Sequence, residues 1–185
     1  MQTLLLSTLA VAVAEIGDKT QLLSLILAAR YRRPLPICLG ILIATLANHA
    51  LAASLGMWLA EWLTPTVLKW IVALSFLSIA AWTLVPDKLD DAEASRGSHY
   101  GVFAATLIAF FIAEMGDKTQ VATVVLAAQY TPLWQVIAGT TLGMLVANVP
   151  VVWFGNRFAD RLPLRAARRT AAVLFAVLAV WILWR

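Results

Sequence analysis

The chain has 185 residues, 62% of them apolar and 13% charged, with a formal net charge of +4 and a mean hydropathy of +0.84. That composition lies outside the range of soluble domains and indicates an integral membrane protein, in which apolar segments of spanning length use nearly all of the chain and exclude a separate soluble catalytic domain. Nucleic acid is excluded as a partner because the basic residues flank apolar segments, where orientation signals belong, and the single Cys38 excludes an internal disulfide and a Cys-based metal cluster.

The opening apolar run ends in Ala12-Val13-Ala14, which has the small-x-small form of a signal-peptide cleavage site. It is read instead as a membrane segment, since Met1-Gln2-Thr3 carries no Lys or Arg and the same run returns at 101–120. Breaks at charged and Pro-rich positions give six expected spans: 3–29, 35–62, 67–85, 100–128, 133–154 and 170–184. The sixth has about 22 Å of clear helix. It must borrow the turn at 164–169 or sit in a locally thinned bilayer.

Two of these spans carry one heptapeptide, Glu15-Ile16-Gly17-Asp18-Lys19-Thr20-Gln21 and Glu114-Met115-Gly116-Asp117-Lys118-Thr119-Gln120, offset by 99 residues and matching at six of seven positions. Each copy lies about fourteen residues into its apolar run, close to mid-bilayer at roughly 1.5 Å per residue. Six ionisable side chains at that depth cost on the order of 15 kcal/mol on the lower insertion scale, which calls for a functional reason. The same offset relates Ala28-Ala29 to Ala127-Ala128, Tyr31 to Tyr130, Gly40 to Gly139 and Gly56 to Gly155, with Asn48 and Asn148 one residue out of step.

The expected fold is therefore an all-α integral membrane protein of six transmembrane helices in two inverted three-helix repeats, 1–86 and 100–185, joined by a cytoplasmic linker at 87–99. An odd number of spans per repeat forces the second to enter from the opposite side. Arg30, Arg32, Arg33, Lys88, Arg96, Arg157, Arg161, Arg165, Arg168 and Arg169 fall on one side, against Lys69 and Arg185 on the other. This bias places both termini outside the cytoplasm. The acidic run at 87–93 is read as a solvated linker, with a metal-gathering role as the alternative.

On a continuous helix Glu15 and Asp18 share a face continued by Gln21, as do Glu114, Asp117 and Gln120. Gly17 and Gly116 permit either close helix approach or a local break that frees backbone carbonyls. Antiparallel motifs put Glu15 level with Asp117 and Asp18 with Glu114. Four carboxylates less Lys19 and Lys118 leave minus two, which one divalent cation or two protons neutralise, and mutual exclusion of that kind is exchange. Each lysine, at i+4 from its glutamate, either pairs with it in the unmetallated site or is a fixed counterion. Oxygen ligands select Ca²⁺, Mn²⁺ or Mg²⁺ over softer metals.

Thr20, Gln21, Thr119, Gln120, Asn48 and Asn148 are candidate auxiliary ligands; for the asparagines the alternative is an interhelical hydrogen bond. Met115 is read as packing. His49, with no counterpart in the second half, is read as a satisfied interhelical histidine rather than a proton relay.

The doubled Glu-x-Gly-Asp-Lys-Thr motif in a six-span chain of this size resembles the Gdt-type cation/proton exchanger family, which includes the Golgi manganese and calcium transporter and short bacterial manganese exporters. The resemblance covers nearly the whole chain. It implies a secondary transporter, not an enzyme, that exports Mn²⁺ or Ca²⁺ in exchange for protons by alternating access, with Glu15, Asp18, Glu114 and Asp117 as the metal site. It also implies a multi-pass protein of the bacterial inner (plasma) membrane with no prosthetic group, whose partners are the metal ion, protons and the lipid bilayer, with a homo-oligomer left open. The rivals are an intramembrane metal-dependent hydrolase such as a lipid phosphatase, for which the motifs lack a nucleophile or a phosphate-binding Arg or His, and an amino-acid exporter of related architecture.

Overall fold

The computed structural model describes residues 1–85, 101–155 and 164–184. Every regular element among them is helical: α1 (Gln2–Glu15), α2 (Lys19–Tyr31), α3 (Pro34–Trp62), α4 (Pro65–Thr83), α5 (Gly101–Glu114), α6 (Lys118–Gln129), α7 (Leu133–Phe154) and α8 (Leu164–Trp184). The linker expected at 87–99, with its acidic run, lies outside the described residues, as do Lys88, Arg96, Arg157, Arg161 and Arg185 of the orientation count.

Local chemistry sets several boundaries. Helices α3 and α4 begin on Pro34 and Pro65, whose fixed φ and missing N–H suit a first turn. Thr64 Oγ1 accepts from the Val67 N–H at 3.5 Å. Arg32 closes α2 in the left-handed region (φ 52°) and its N–H donates to the Ala28 carbonyl at 3.0 Å. The last helix takes up the turn at 164–169 and reaches 21 residues, about 31 Å. Three helices, α3, α4 and α7, are long and apolar enough to cross a membrane, and α1 and α5 are shorter apolar helices.

The runs at 3–29 and 100–128 are not the continuous helices that a shared acidic face requires. Each is two helices meeting at the motif glycine, α1 and α2 at Gly17 (φ 83°) and α5 and α6 at Gly116 (φ 75°). A Cβ at such a φ crowds the following carbonyl, so glycine is what makes the break inexpensive.

Helix α1 packs mainly on α7, α3 packs on α5, α6 and α7, and α4 packs on α8. Small residues set these approaches. A Cβ on Gly40 would come 2.7 Å from Thr106 Cβ and 2.9 Å from the Phe103 carbonyl, and one on Gly139 would come 2.6 Å from the Leu4 carbonyl and 2.8 Å from Ser7 Cβ. The two glycines are 99 residues apart, and so are their partners: the third helical run of each half seats on the first of the other. Two apolar clusters form the core, one holding Ala109, Phe110, Ala113 and Ala44, the other Ala122, Val125, Leu126 and Ala53. Along α3 and along α5–α6, passing from one cluster to the other crosses buried polar residues, among them Thr45, Asn48, His49, Glu114, Asp117 and Thr119.

Candidate metal centre

Each break is built by its own motif. With the helical ladder interrupted, the Gly17 N–H donates to Gln21 Oε1 at 2.9 Å and the Gly116 N–H to Gln120 Oε1 at 2.7 Å. The aspartates close the turns, Asp18 N–H to the Glu15 carbonyl at 3.1 Å and Asp117 N–H to the Glu114 carbonyl at 3.2 Å, and then stand at the N-caps of α2 and α6. The Asp18 carboxylate accepts from the Lys19 N–H at 2.7 Å. The threonines fix the glutamates: Thr20 Oγ1 donates to Glu15 Oε2, and Thr119 Oγ1 to Glu114 Oε2 at 3.0 Å.

The two breaks face one another, which brings the motifs together. One carboxylate oxygen from each of Glu15, Glu114 and Asp117 lies within 4.8 Å of the others. All three residues are buried, and Glu15 Oε1 and Glu114 Oε1 have no hydrogen-bond partner. Buried carboxylate oxygens without donors are costly, and a cation removes that cost.

Asp18 is equally buried but is not in this trio, and Lys118 Nζ stands 3.1 Å from its Oδ1. Lys19 Nζ lies 3.8 Å from Asp117 Oδ1. Of the two readings that helical spacing allows, a fixed counterion is compatible with these pairs; the other does not hold, since each lysine meets the aspartate of the other motif and not its own glutamate. The break is the reason, because i+4 proximity needs a continuous turn between the two residues. The lysines also differ in exposure, 18% for the Lys19 side chain and 4% for that of Lys118.

Of the other candidates, Gln21 is committed twice, its Nε2 donating to the Ala147 carbonyl at 3.0 Å. Asn48 Nδ2 donates to the Phe111 carbonyl at 3.0 Å, while Asn48 Oδ1 has no partner. Asn148 Oδ1 accepts from Ser24 Oγ at 2.8 Å and its Nδ2 donates to the Met144 carbonyl at 3.1 Å. Met115 is 59% exposed and does not pack in the core, because the break turns it outward. His49 is fully buried with both ring nitrogens unpartnered, so it is not the satisfied histidine expected. Ser24 is not among the sequence-derived candidates; its signal is the offset of 99 to Thr123, a second hydroxyl three residues beyond the motif.

The sequence pattern of the family described as "Divalent cation/proton antiporter GDT1" matches residues 3–91 and 102–185. The chain is 57% identical over 181 residues to a protein of Vibrio cholerae named "Putative manganese exporter", covering 97% of this chain and 90% of the relative. It is 28% identical over 196 residues to the GDT1-like protein sll0615 of Synechocystis, covering 95% and 94%, and 27% identical over 212 residues to GDT1-like protein 4 of Arabidopsis thaliana, covering 91% and 89%. No solved structure matches the chain significantly.

Proposed function

The chain belongs to the divalent cation/proton antiporter GDT1 family, and from that premise we propose that it exports Mn²⁺ from the bacterial cytoplasm across the inner membrane in exchange for protons. Transport of a divalent cation follows from the family, which is one of transporters rather than enzymes, so the lipid-phosphatase reading falls. Mn²⁺ takes precedence over Ca²⁺ on the name of the Vibrio cholerae relative.

The observation that carries the reading is the convergence of Glu15, Glu114 and Asp117 within 4.8 Å, two of them with an unpartnered buried oxygen. Three hard oxygens in a buried cluster suit a cation of the Ca²⁺, Mn²⁺, Mg²⁺ class. With Asp18 neutralised by Lys118 and Asp117 facing Lys19, the cluster keeps an excess of two negative charges when all four carboxylates are ionised. One Mn²⁺ or two protons restore balance, and only one of them occupies the site at a time. Thr20 and Thr119 hold the glutamates, while Gln21 and Gln120 hold the breaks.

The topology proposed is six spans, α1–α2, α3, α4, α5–α6, α7 and α8, in two inverted repeats with both termini outside the cytoplasm. Broken helices meeting at a charged centre are the parts from which alternating access is built. The halves rock about the carboxylate cluster, Mn²⁺ enters from the cytoplasm, and protons arriving from outside displace it.

The test is flux in sealed vesicles containing the purified protein, with a pH dye and a Mn²⁺ indicator. Mn²⁺ movement should be coupled to opposite proton movement, and Glu15→Gln or Glu114→Gln should abolish both. Unchanged Mn²⁺ flux in either variant overturns the proposal.

A further inference from the structure

A second group of orphaned polar atoms lies outside the carboxylate cluster. Thr45 Oγ1, Asn48 Oδ1 and both ring nitrogens of His49 are buried without hydrogen-bond partners, and the three residues are between 0% and 1% exposed. At i, i+3 and i+4 they share one face of α3. A buried polar group without a partner is costly, so three such side chains on one face call for an occupant.

The position of this face relates it to the carboxylates. Asn48 Nδ2 donates to the Phe111 carbonyl, three residues before Glu114 on α5. Asn48 is thereby pinned beside the second break while its Oδ1 is left open. At the offset of 99, His49 corresponds to Asn148, and the comparison is informative: Asn148 spends its oxygen on Ser24 and its nitrogen on Met144, whereas His49 spends neither nitrogen. At this one position the first half carries an open imidazole where the second carries a filled amide.

We infer that the Thr45–Asn48–His49 face of α3 is a second cation station beside the carboxylate cluster, where the His49 imidazole discriminates Mn²⁺ from Ca²⁺. A hydroxyl, an amide oxygen and an imidazole nitrogen are neutral donors, so they hold a divalent ion weakly, as a transit position must. Imidazole is a ligand of transition metals, whereas Ca²⁺ is bound by oxygens alone. The carboxylate trio, all oxygen, accepts either ion; the discrimination belongs to α3. This inference rests on the exchange reading and names its selectivity.

The test compares the unmodified full-length protein with His49→Asn, which installs the residue of the corresponding position, and His49→Gln, which keeps a polar group of similar reach. Mn²⁺ and Ca²⁺ fluxes are measured in the same vesicles, and Mn²⁺ bound at a concentration high enough to fill the weak second site is examined for nitrogen coupling by pulsed electron paramagnetic resonance. The expected result is a shift of the Mn²⁺ to Ca²⁺ preference by about tenfold toward Ca²⁺ in both variants, the order that follows loss of a group at a metal site, together with loss of a nitrogen coupling present in the unmodified protein. An unchanged preference, or no nitrogen coupling in the unmodified protein, overturns the inference while leaving Mn²⁺/proton exchange standing. Absence of Mn²⁺ flux in the unmodified protein overturns the exchange reading, and this inference with it.

Discussion

Lys118 Nζ lies 3.1 Å from Asp18 Oδ1, so the lysine of the second motif neutralises the aspartate of the first. The reciprocal pair, Lys19 with Asp117, is longer at 3.8 Å and its lysine is more exposed. The two motifs are therefore joined crosswise by charge, and one joint is tighter and drier than the other.

The tight pair should behave as a buried unit. Lys118→Met leaves the Asp18 carboxylate buried without its cation, a change that costs about 3–5 kcal/mol. The double variant Lys118→Met with Asp18→Asn removes both charges and should recover most of that loss. Lys19→Met should cost markedly less, because its site admits more solvent. Thermal unfolding of the purified variants in detergent checks the order; equal losses for the two lysines would contradict it.

The glutamines should matter for structure more than for ligation. Gln21→Leu and Gln120→Leu each remove the acceptor of a glycine N–H at a helix break, at a cost of about 1–3 kcal/mol for the part-buried Gly17 N–H and about 0.5–1.5 kcal/mol for the exposed Gly116 N–H. Gln21→Leu should be the more severe, since Gln21 also donates to the Ala147 carbonyl and ties α2 to α7. Both variants are expected to unfold at lower temperature while still binding Mn²⁺.

Two glycines separate two kinds of constraint. Nothing lies within 4 Å of a Cβ built on Gly116, so its requirement is the positive φ alone, whereas Gly139 has an ordinary φ and a carbonyl 2.6 Å from its Cβ position. Gly116→Asn should accordingly be milder than Gly116→Val, because asparagine tolerates the left-handed region. At Gly139 the two should be equally harmful, each overpacking α1 against α7 by about 1–3 kcal/mol. Yield and unfolding temperature of the four variants distinguish the cases.

How far the sequence reveals this depends on which physical relation is at stake. The doubled motif and its offset of 99 residues point to the residues that meet at the centre, because burying six charges demands a reason that composition alone exposes. The break at Gly17 and Gly116 was legible only as one of two options, since a glycine in an apolar helical run serves close packing equally well. The lysine pairing depends on that choice: the i+4 relation of Lys19 to Glu15 holds for a continuous helix, and at φ 83° the chain turns the lysine toward Asp117 instead. Met115 fails for the same reason, facing outward from a turn. The open nitrogens of His49 depend on which groups of neighbouring helices approach it, and no local spacing encodes that.

The most direct test of the account is equilibrium binding of Mn²⁺ to the purified full-length protein, counted per chain. One tightly held ion is expected in the carboxylate cluster, lost in Glu15→Gln, Glu114→Gln and Asp117→Asn but retained at reduced affinity in Asp18→Asn, because the native Asp18 carboxylate is held by Lys118. Full retention of that ion in Glu15→Gln together with Glu114→Gln would contradict the claim that the two motifs build one cation site.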